Sequence, residues 1–163
     1  MNGRISATLL LVLLVALAGC TGAVMNAAND GEYDRTTVSV VDENGSELGS
    51  VDARVADSYE KRYTGLSNTE SLGEDEGMLF VHDAEATQAY VMRDMAFRID
   101  IVFVAANGTI TRIHHAELPP EGTDEGDLKR YRGLGKYVLE VPYNWTDDAG
   151  AETGDRIEIA GDY

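Results

Sequence analysis

Residues 99–115 read IDIVFVAANGTITRIHH and carry the clearest fold signal in the chain. Ile99–Ala105 is the most apolar segment beyond the N-terminal twenty residues and is interrupted only by Asp100. Asn107-Gly108 then supplies residues that favour the positive φ angles of a tight hairpin turn. The stretch therefore predicts a central strand at Ile99–Ala105, followed by a hairpin partner at Thr109–His115.

The segments on either side predict further short strands between turns, most of them by the alternation of apolar and polar residues and 77–81 by its continuous apolarity. A short helix is predicted after an N-cap at Asp57, with Glu60 completing a capping box and Gly65 ending the helix. Residues 117–135, with two prolines and several glycines, predict a long surface loop. The remaining strands are predicted at Thr36–Val41, Glu47–Val55, Gly77–Val81, Thr87–Met92, Tyr137–Val141 and Arg156–Ile159, with turns at Asp83–Ala86 and a helical turn at Asn144–Gly150.

The predicted fold class is therefore α+β and mostly β. We expect a strongly curved, mostly antiparallel sheet or a small barrel, carrying one or two short helices.

The N-terminal residues predict export. Ile5–Ala18 is an apolar run whose helix would be about 21 Å long, too short for a bilayer core of about 30 Å and typical of a signal peptide. Leu17-Ala18-Gly19-Cys20 resembles the lipobox of prokaryotic lipoproteins, which implies cleavage before Cys20 and lipid on its sulfur. The alternative is a plain secretory signal with a bystander cysteine.

We accordingly expect a signal peptide at 1–19, a flexible lipid-attached tether at 20–35 and a single domain at 36–163. The lipid on Cys20 would hold the protein on the cell membrane, with the domain on the extracellular side. Because Cys20 is the only cysteine, the domain contains neither a disulfide nor a cysteine metal site.

The charge is strongly acidic. Twenty-nine Asp and Glu face 13 Lys and Arg, a formal net charge of −16, and only three of the basic residues are lysines. An acidic surplus with scarce lysine resembles proteins of extreme halophiles, where hydrated carboxylates preserve solubility in concentrated salt. The alternative is an ordinary acidic protein. Either way, nucleic acid is excluded as an expected partner, because phosphate binding needs clustered Lys and Arg.

Four charged residues are concentrated at one predicted strand junction. Arg93, Asp94, Arg98 and Asp100 form a candidate ligand site, in which an arginine fork grips a carboxylate or a phosphate. The alternative is a structural salt-bridge cluster, or an aspartate that caps turn amides.

Glu140 lies inside an apolar strand and is the second candidate. If it is buried it needs a partner, for which Arg93 and Arg98 are available. A buried Glu140 near Asp100 could perform acid–base chemistry, which makes these two carboxylates weak catalytic candidates.

Histidine and known motifs offer less. His114 and His115 are adjacent on a predicted strand and point to opposite faces, so with His82 they are expected to be core or surface residues. No metalloprotease, nucleophile-elbow or P-loop motif occurs, and no cofactor or metal is expected. Three sequons make Asn44, Asn107 and Asn144 glycosylation candidates on an exported surface.

Three blocks resemble a prokaryotic family, domain of unknown function 192, over roughly residues 38–160. In the second block Met92 and Asp100 match the family pattern, Arg93 keeps the charge of its lysine, and Val91 stands where tryptophan is usual. The resemblance implies the fold and brings no activity, since the family has none that is agreed. The blocks are Thr64-Gly65-Leu66 with Gly77–Phe80, Tyr90–Asp100, and Val138–Val141 with Gly154-Asp155.

The sequence thus favours an exported, membrane-anchored accessory module that binds a small polar ligand or an envelope protein. The alternatives are an envelope-directed hydrolase that uses Asp100 and Glu140, and a structural envelope protein. The absence of a catalytic motif makes an enzyme the less favoured class.

Overall fold

The computed structural model describes residues 33–163, so the predicted signal peptide, the Cys20 lipidation site and the tether up to residue 32 lie outside the described residues. The described part contains seven strands, two short helices and one 3₁₀ turn. In chain order they are β1 Asp34–Val41, β2 Glu47–Ala56, α1 Tyr59–Thr64, β3 Glu76–Tyr90, β4 Ile99–Val104, β5 Ile110–Ala116, the 3₁₀ turn Glu125–Asp127, β6 Tyr131–Pro142, α2 Trp145–Ala149 and β7 Arg156–Ile159.

The seven strands form one sheet in the order β5-β4-β6-β3-β2-β1-β7. All neighbours are antiparallel except β2 and β3, which are parallel and joined by the crossover that contains α1. The edge strand β7 also meets the start of β5, because the Ile157 amide donates to the Gly108 carbonyl at 2.8 Å. The predicted mostly-β, strongly curved sheet is confirmed as a mixed half-barrel with two short helices.

The sheet is buried on both faces. Its inner face gathers apolar side chains from all seven strands, for example Val38, Leu79 and Leu139. Its outer face, with Phe80 and Phe103, is covered by α1 and by the segments that follow α1 and β3. Every β4 residue is therefore buried, which explains why five of its six residues are apolar; the sixth is Asp100.

The strand at Ile99–Val104 is real, but its predicted central position is wrong. It lies second in the sheet, whereas β3 occupies the middle. β3 also runs unbroken from Glu76 to Tyr90, where a turn at Asp83–Ala86 was predicted. The pairing of β3 with β6 shifts register between Val81 and Ala86, so the polar residues in between interrupt the pairing without ending the strand.

Two boundaries also differ from the prediction. The helix N-cap is Ser58, whose hydroxyl accepts from the Lys61 amide at 3.2 Å, while the Asp57 carboxylate binds the Lys61 ammonium at 2.9 Å. The predicted loop 117–135 ends at residue 130, because β6 begins at Tyr131 and pairs with the far half of β3. The glycines in this part of β6 predicted a loop. One of them, Gly133, is instead required within the strand, because a side chain at that position would not fit.

Gly133 faces the Phe103 ring, and a Cβ built there would lie 2.3 Å from the ring carbon Cγ. We expect Gly133→Ala to lower the free energy of unfolding by about 3 kcal/mol, the upper range for overpacking, because the ring root cannot move away without shifting β4. Urea denaturation measures this loss. Gly126→Ala is the matched control, since no atom lies within 4 Å of its added Cβ. Equal stability of the two variants would contradict the packing described.

Candidate functional site

A cavity of about 420 Å³ opens on the outer face of the sheet. Its walls come from α1 with the segment after it, from both halves of β3, and from the connection that follows β3. Glu140 on β6 is part of the lining. The volume lies within the range of small-molecule sites, roughly 300–1,000 Å³.

Glu140 forms the floor of this cavity. It pairs with Met78 of β3 on one side and with Ile101 of β4 on the other, and its side chain shares the outer face with Val138. The residue is only 6% exposed. Every fully enclosed side-chain oxygen and nitrogen atom in the described residues has a hydrogen-bond partner. A carboxylate oxygen without such a partner must therefore be slightly exposed, and Glu140 is exposed toward the cavity that it lines.

No hydrogen bond or ion pair within residues 33–163 reaches the Glu140 carboxylate. Burial disfavours its ionised form and raises the pKa of Glu140 to about 8, although the positive charge of Arg54 lowers it somewhat. Arg54 lies one strand beyond Met78 in the same cross-strand row and donates to the Thr69 hydroxyl at 3.1 Å. Glu140 is thus a buried acid that is mostly protonated at neutral pH.

Neither of the predicted partners, Arg93 and Arg98, forms an ion pair with Glu140. The Arg93 side chain lines the same cavity but lies over the Tyr63 ring, 4.0 Å from its centroid, and donates to the Tyr63 carbonyl oxygen. Its Nη1 is 3.6 Å from an exposed oxygen of Glu125. The Arg98 guanidinium is outside the cavity, 4.1 Å from the Tyr143 ring centroid and 3.4 Å from Glu117.

Tyr90 and His82 form the polar wall. The His82 Nε2 and the Tyr90 hydroxyl are 2.9 Å apart, and the Tyr90 ring meets the Phe80 ring edge-on at 5.0 Å. Burial, reinforced by the Arg62 charge, lowers the pKa of His82. Burial, reinforced by the Glu140 charge, raises the pKa of Tyr90. Both side chains are therefore neutral at physiological pH and can exchange hydrogen bonds with a ligand.

The mouth of the cavity is aromatic and basic. Tyr59 and Tyr63 of α1 are exposed and stack with their ring centroids 6.2 Å apart. Arg62, between them in sequence, donates through Nη1 to the backbone carbonyls of Asp57 and Val81. A single turn of helix thus supplies two exposed rings and one guanidinium to the same opening.

Asp100 lies on the opposite face of the sheet and is fully buried. One carboxylate oxygen accepts from the Thr146 amide at 3.0 Å and the Thr146 hydroxyl at 2.6 Å. The other accepts from the Asn144 amide at 3.1 Å and contacts His115 Nδ1 at 2.8 Å. Asp100 therefore fastens the start of α2 to the sheet, and its hydrogen bond to His115 raises the pKa of that histidine.

The predicted pairing of Asp100 with Glu140 in one cleft is wrong. β4 and β6 are neighbours, and Asp100 pairs with Val141 while Ile101 pairs with Glu140. Adjacent residues of a strand point to opposite faces, so the two carboxylates are separated by the sheet. A hydrolase mechanism that needs both of them around one substrate has no geometric basis here.

The four-residue cluster predicted at the strand junction does not converge. Asp94 is exposed, adopts a positive φ of 54°, and lines a smaller hollow beside residues 118–123. Arg93 contributes to both hollows, whereas Arg98 and Asp100 are directed elsewhere. Of the described candidate ligand-binding and catalytic residues, only Arg93 and Glu140 line the main cavity, and His82 is the one histidine that joins them.

The sequon asparagines are all exposed, but their surroundings differ. Asn44 and Asn107 lie in turns, and the Asn107 side chain accepts from the Thr109 amide at 3.0 Å. Asn144 has a positive φ of 65°, and the hydroxyl of its sequon residue Thr146 is buried against Asp100. In the folded domain the hydroxyl of this third sequon is therefore inaccessible.

The histidines do not gather at one place. His114 Nε2 contacts the Arg132 carbonyl at 2.9 Å on the outer face, while His115 faces Asp100 on the inner side. Over residues 33–163 no three His, Cys, Asp or Glu side chains are grouped as metal ligands.

Within the same residues, no helix has the length and apolarity needed to cross a membrane.

Comparison with known proteins gives a family and a fold. The profile of the DUF192 family, described as an uncharacterized ACR, matches residues 39–159. A crystal structure from Sinorhizobium meliloti 1021, described only provisionally as a transcription regulator, is 25% identical, with a TM-score of 0.68 over 78% of this chain and 95% of that one. A protein of unknown function from Novosphingobium aromaticivorans is 23% identical, with a TM-score of 0.66 over 76% of this chain and 84% of that one. No curated protein gives a significant match.

Proposed function

This chain belongs to the DUF192 family of uncharacterised proteins, and on that premise we propose that it is an exported, lipid-anchored module that binds a small ligand in the cavity above Glu140. The proposal places the protein on the outer side of the cell membrane, held by lipid on Cys20. The ligand would lie between the sheet and α1, in contact with the Glu140 carboxyl group.

The proposal rests on one observation, the buried carboxyl group of Glu140 at the floor of the cavity. Burying a carboxyl group without a hydrogen-bond partner costs stability, so such a group is uncommon in a core and is concentrated at functional sites. Here the carboxyl forms the floor of an open cavity with aromatic walls. A few polar groups that converge in a mostly apolar pocket are the usual anatomy of a ligand site.

The sequence supports the proposed location. The apolar run before Leu17-Ala18-Gly19-Cys20 has the length of a signal peptide, and the small residues precede the cysteine in lipobox order. The formal charge of −16 suits a surface that faces concentrated salt. It also speaks against carrying over the provisional description of the Sinorhizobium relative, because an acidic surface repels DNA phosphates.

Thermal-shift screening with a library of polar metabolites tests the proposal on the full chain, purified in detergent and molar KCl. We expect at least one compound to raise the Tm of the wild type, because a ligand that binds only the folded state stabilises it. The same compound should have no effect on Glu140→Leu, in which the floor of the cavity is apolar.

Glu158→Gln serves as the control, since Glu158 is exposed on β7 at the sheet edge, away from the cavity. It should respond to the compound as the wild type does. If no compound stabilises the wild type more than Glu140→Leu, the cavity is not a ligand site and the proposed function fails.

A further inference from the structure

The two ends of the cavity, its floor and its mouth, favour ligand groups of opposite charge. The floor holds the buried carboxyl group of Glu140, and the Tyr90 hydroxyl on the wall is hydrogen-bonded to His82 at 2.9 Å. The basic end is formed by Arg62 and Arg93, both of which line the opening.

The floor favours a ligand group that donates hydrogen bonds and carries positive charge. No group within residues 33–163 donates a hydrogen bond to the Glu140 carboxylate, and an ammonium group would supply hydrogen bonds together with a positive charge in addition to that of Arg54. The neighbouring rings of Phe80 and Tyr90 also line the cavity, and aromatic faces attract cations. A carboxylate placed at this floor would instead meet a second acidic group.

The mouth favours an anionic group. The Arg93 guanidinium lies over the Tyr63 ring and donates to the Tyr63 carbonyl oxygen, so its planar fork is already oriented before any ligand arrives. Its ion partner Glu125 has a largely exposed side chain at 3.6 Å, a pair of little net strength that a ligand carboxylate can replace. A ligand with positive charge alone would leave this end unsatisfied and would be repelled by both arginines.

We propose that the ligand is a small zwitterion with an aromatic or apolar body, whose ammonium group binds Glu140 and whose carboxylate binds Arg93. This inference rests on the proposed function, since it names the chemical class that the same cavity takes. The body of the ligand lies against Phe80, Tyr90 and the exposed rings of α1. Binding converts the Glu140 carboxyl into its ionised form and so releases a proton near neutral pH.

Isothermal titration calorimetry on the full chain tests this with two zwitterions, phenylalanine and para-aminomethylbenzoate, and with matched ligands that lack one charge. Phenethylamine and benzylamine lack the carboxylate, while phenylpropionate and para-methylbenzoate lack the amine. We expect one zwitterion to bind at least about tenfold more tightly than both of its matched ligands, because each charged contact adds about 1.4 kcal/mol or more.

Two substitutions test which end of the cavity binds the ammonium group and which binds the carboxylate. Glu140→Gln should reduce the zwitterion to the affinity of its matched anion and should abolish proton release, which is read from the heat in buffers of different ionisation enthalpy. Arg93→Gln should reduce it to the affinity of its matched amine and leave proton release intact. Arg98→Gln is the matched control, because Arg98 also stacks on a tyrosine but lies outside the cavity.

An anion that binds as tightly as its zwitterion, or zwitterion binding that is unchanged in Glu140→Gln, would overturn the inference. If none of the six probes binds while a library compound stabilises the wild type and not Glu140→Leu, the zwitterion class is wrong and the proposed function stands. If neither experiment detects a ligand, both proposals fail.

Discussion

Replacing Glu140 with leucine should stabilise the domain, and the gain should be largest at alkaline pH. Burial raises the pKa of Glu140 from an ordinary 4.5 to about 8 in the folded state. The folded protein therefore holds a proton that the unfolded chain releases between these values. Stability from this group is complete below the unfolded pKa and is lost as the pH rises through about 8.

The loss should approach about 5 kcal/mol, since each pKa unit corresponds to roughly 1.4 kcal/mol. Glu140→Leu has no proton to lose at this site, so its free energy of unfolding should exceed that of the wild type by several kcal/mol more at about pH 9 than at about pH 4. Other shifted groups, such as Asp57, titrate in both proteins and cancel in the difference.

Urea denaturation of the two proteins over this pH range, in molar KCl, measures the difference. Glu140→Gln should show the same flattening of the pH profile, because the amide has the shape of the acid without its titration. Glu158→Gln should follow the wild type. Parallel pH profiles for Glu140→Leu and the wild type would mean that Glu140 is solvated or paired in solution. A stabilising substitution at a buried charge would also fit a residue kept for binding at the expense of stability.

Asp100→Ala should have the opposite effect and destabilise the domain by about 3–5 kcal/mol. The substitution removes the acceptor for two groups of Thr146, for the Asn144 amide and for His115. The Thr146 amide then remains buried without a partner, and α2 loses its attachment to β4. The measurement is again the free energy of unfolding from urea denaturation.

A gentler variant, Asp100→Asn, separates the electrostatic role from the packing role. The hydrogen bond from Asp100 raises the pKa of His115, so the neutral amide should return that pKa toward its ordinary value of 6.5. NMR titration of the imidazole reports this change. Asp147→Asn is the control, because its carboxylate is 3.6 Å from the other ring nitrogen and mostly exposed. An unaltered His115 pKa in Asp100→Asn would contradict the hydrogen bond described.

The sequence predicted the fold where local pattern determines structure. High apolarity identified Ile99–Val104 as a strand, and Asn107-Gly108 identified the hairpin that follows it. Alternation identified β1, β2 and β7 in the same way. These signals are local, because a strand's side-chain period and a turn's φ angles are properties of a few consecutive residues.

The sequence failed where pairing between distant segments overrode local preference. The polar residues 83–86 and the glycines of β6 indicated a turn and a loop, yet these segments belong to strands that pair with each other. Gly133 is in the sheet because the Phe103 ring, thirty residues away, occupies the space of its side chain. No local window contains that contact.

Composition and the short motifs of this sequence determined by themselves the family, the β-rich class and the acidic character of the chain, since each is a property of residue types and their spacing. Only the tertiary structure decided that Asp100 fastens α2, that Glu140 is a buried acid with no hydrogen-bond partner among residues 33–163, and that Arg93 shares its cavity while Arg98 does not. The physical reason is that alternation assigns a strand residue to a face but cannot say what covers that face. The cover over Glu140 comes from α1 and the end of β3, fifty or more residues away in the chain.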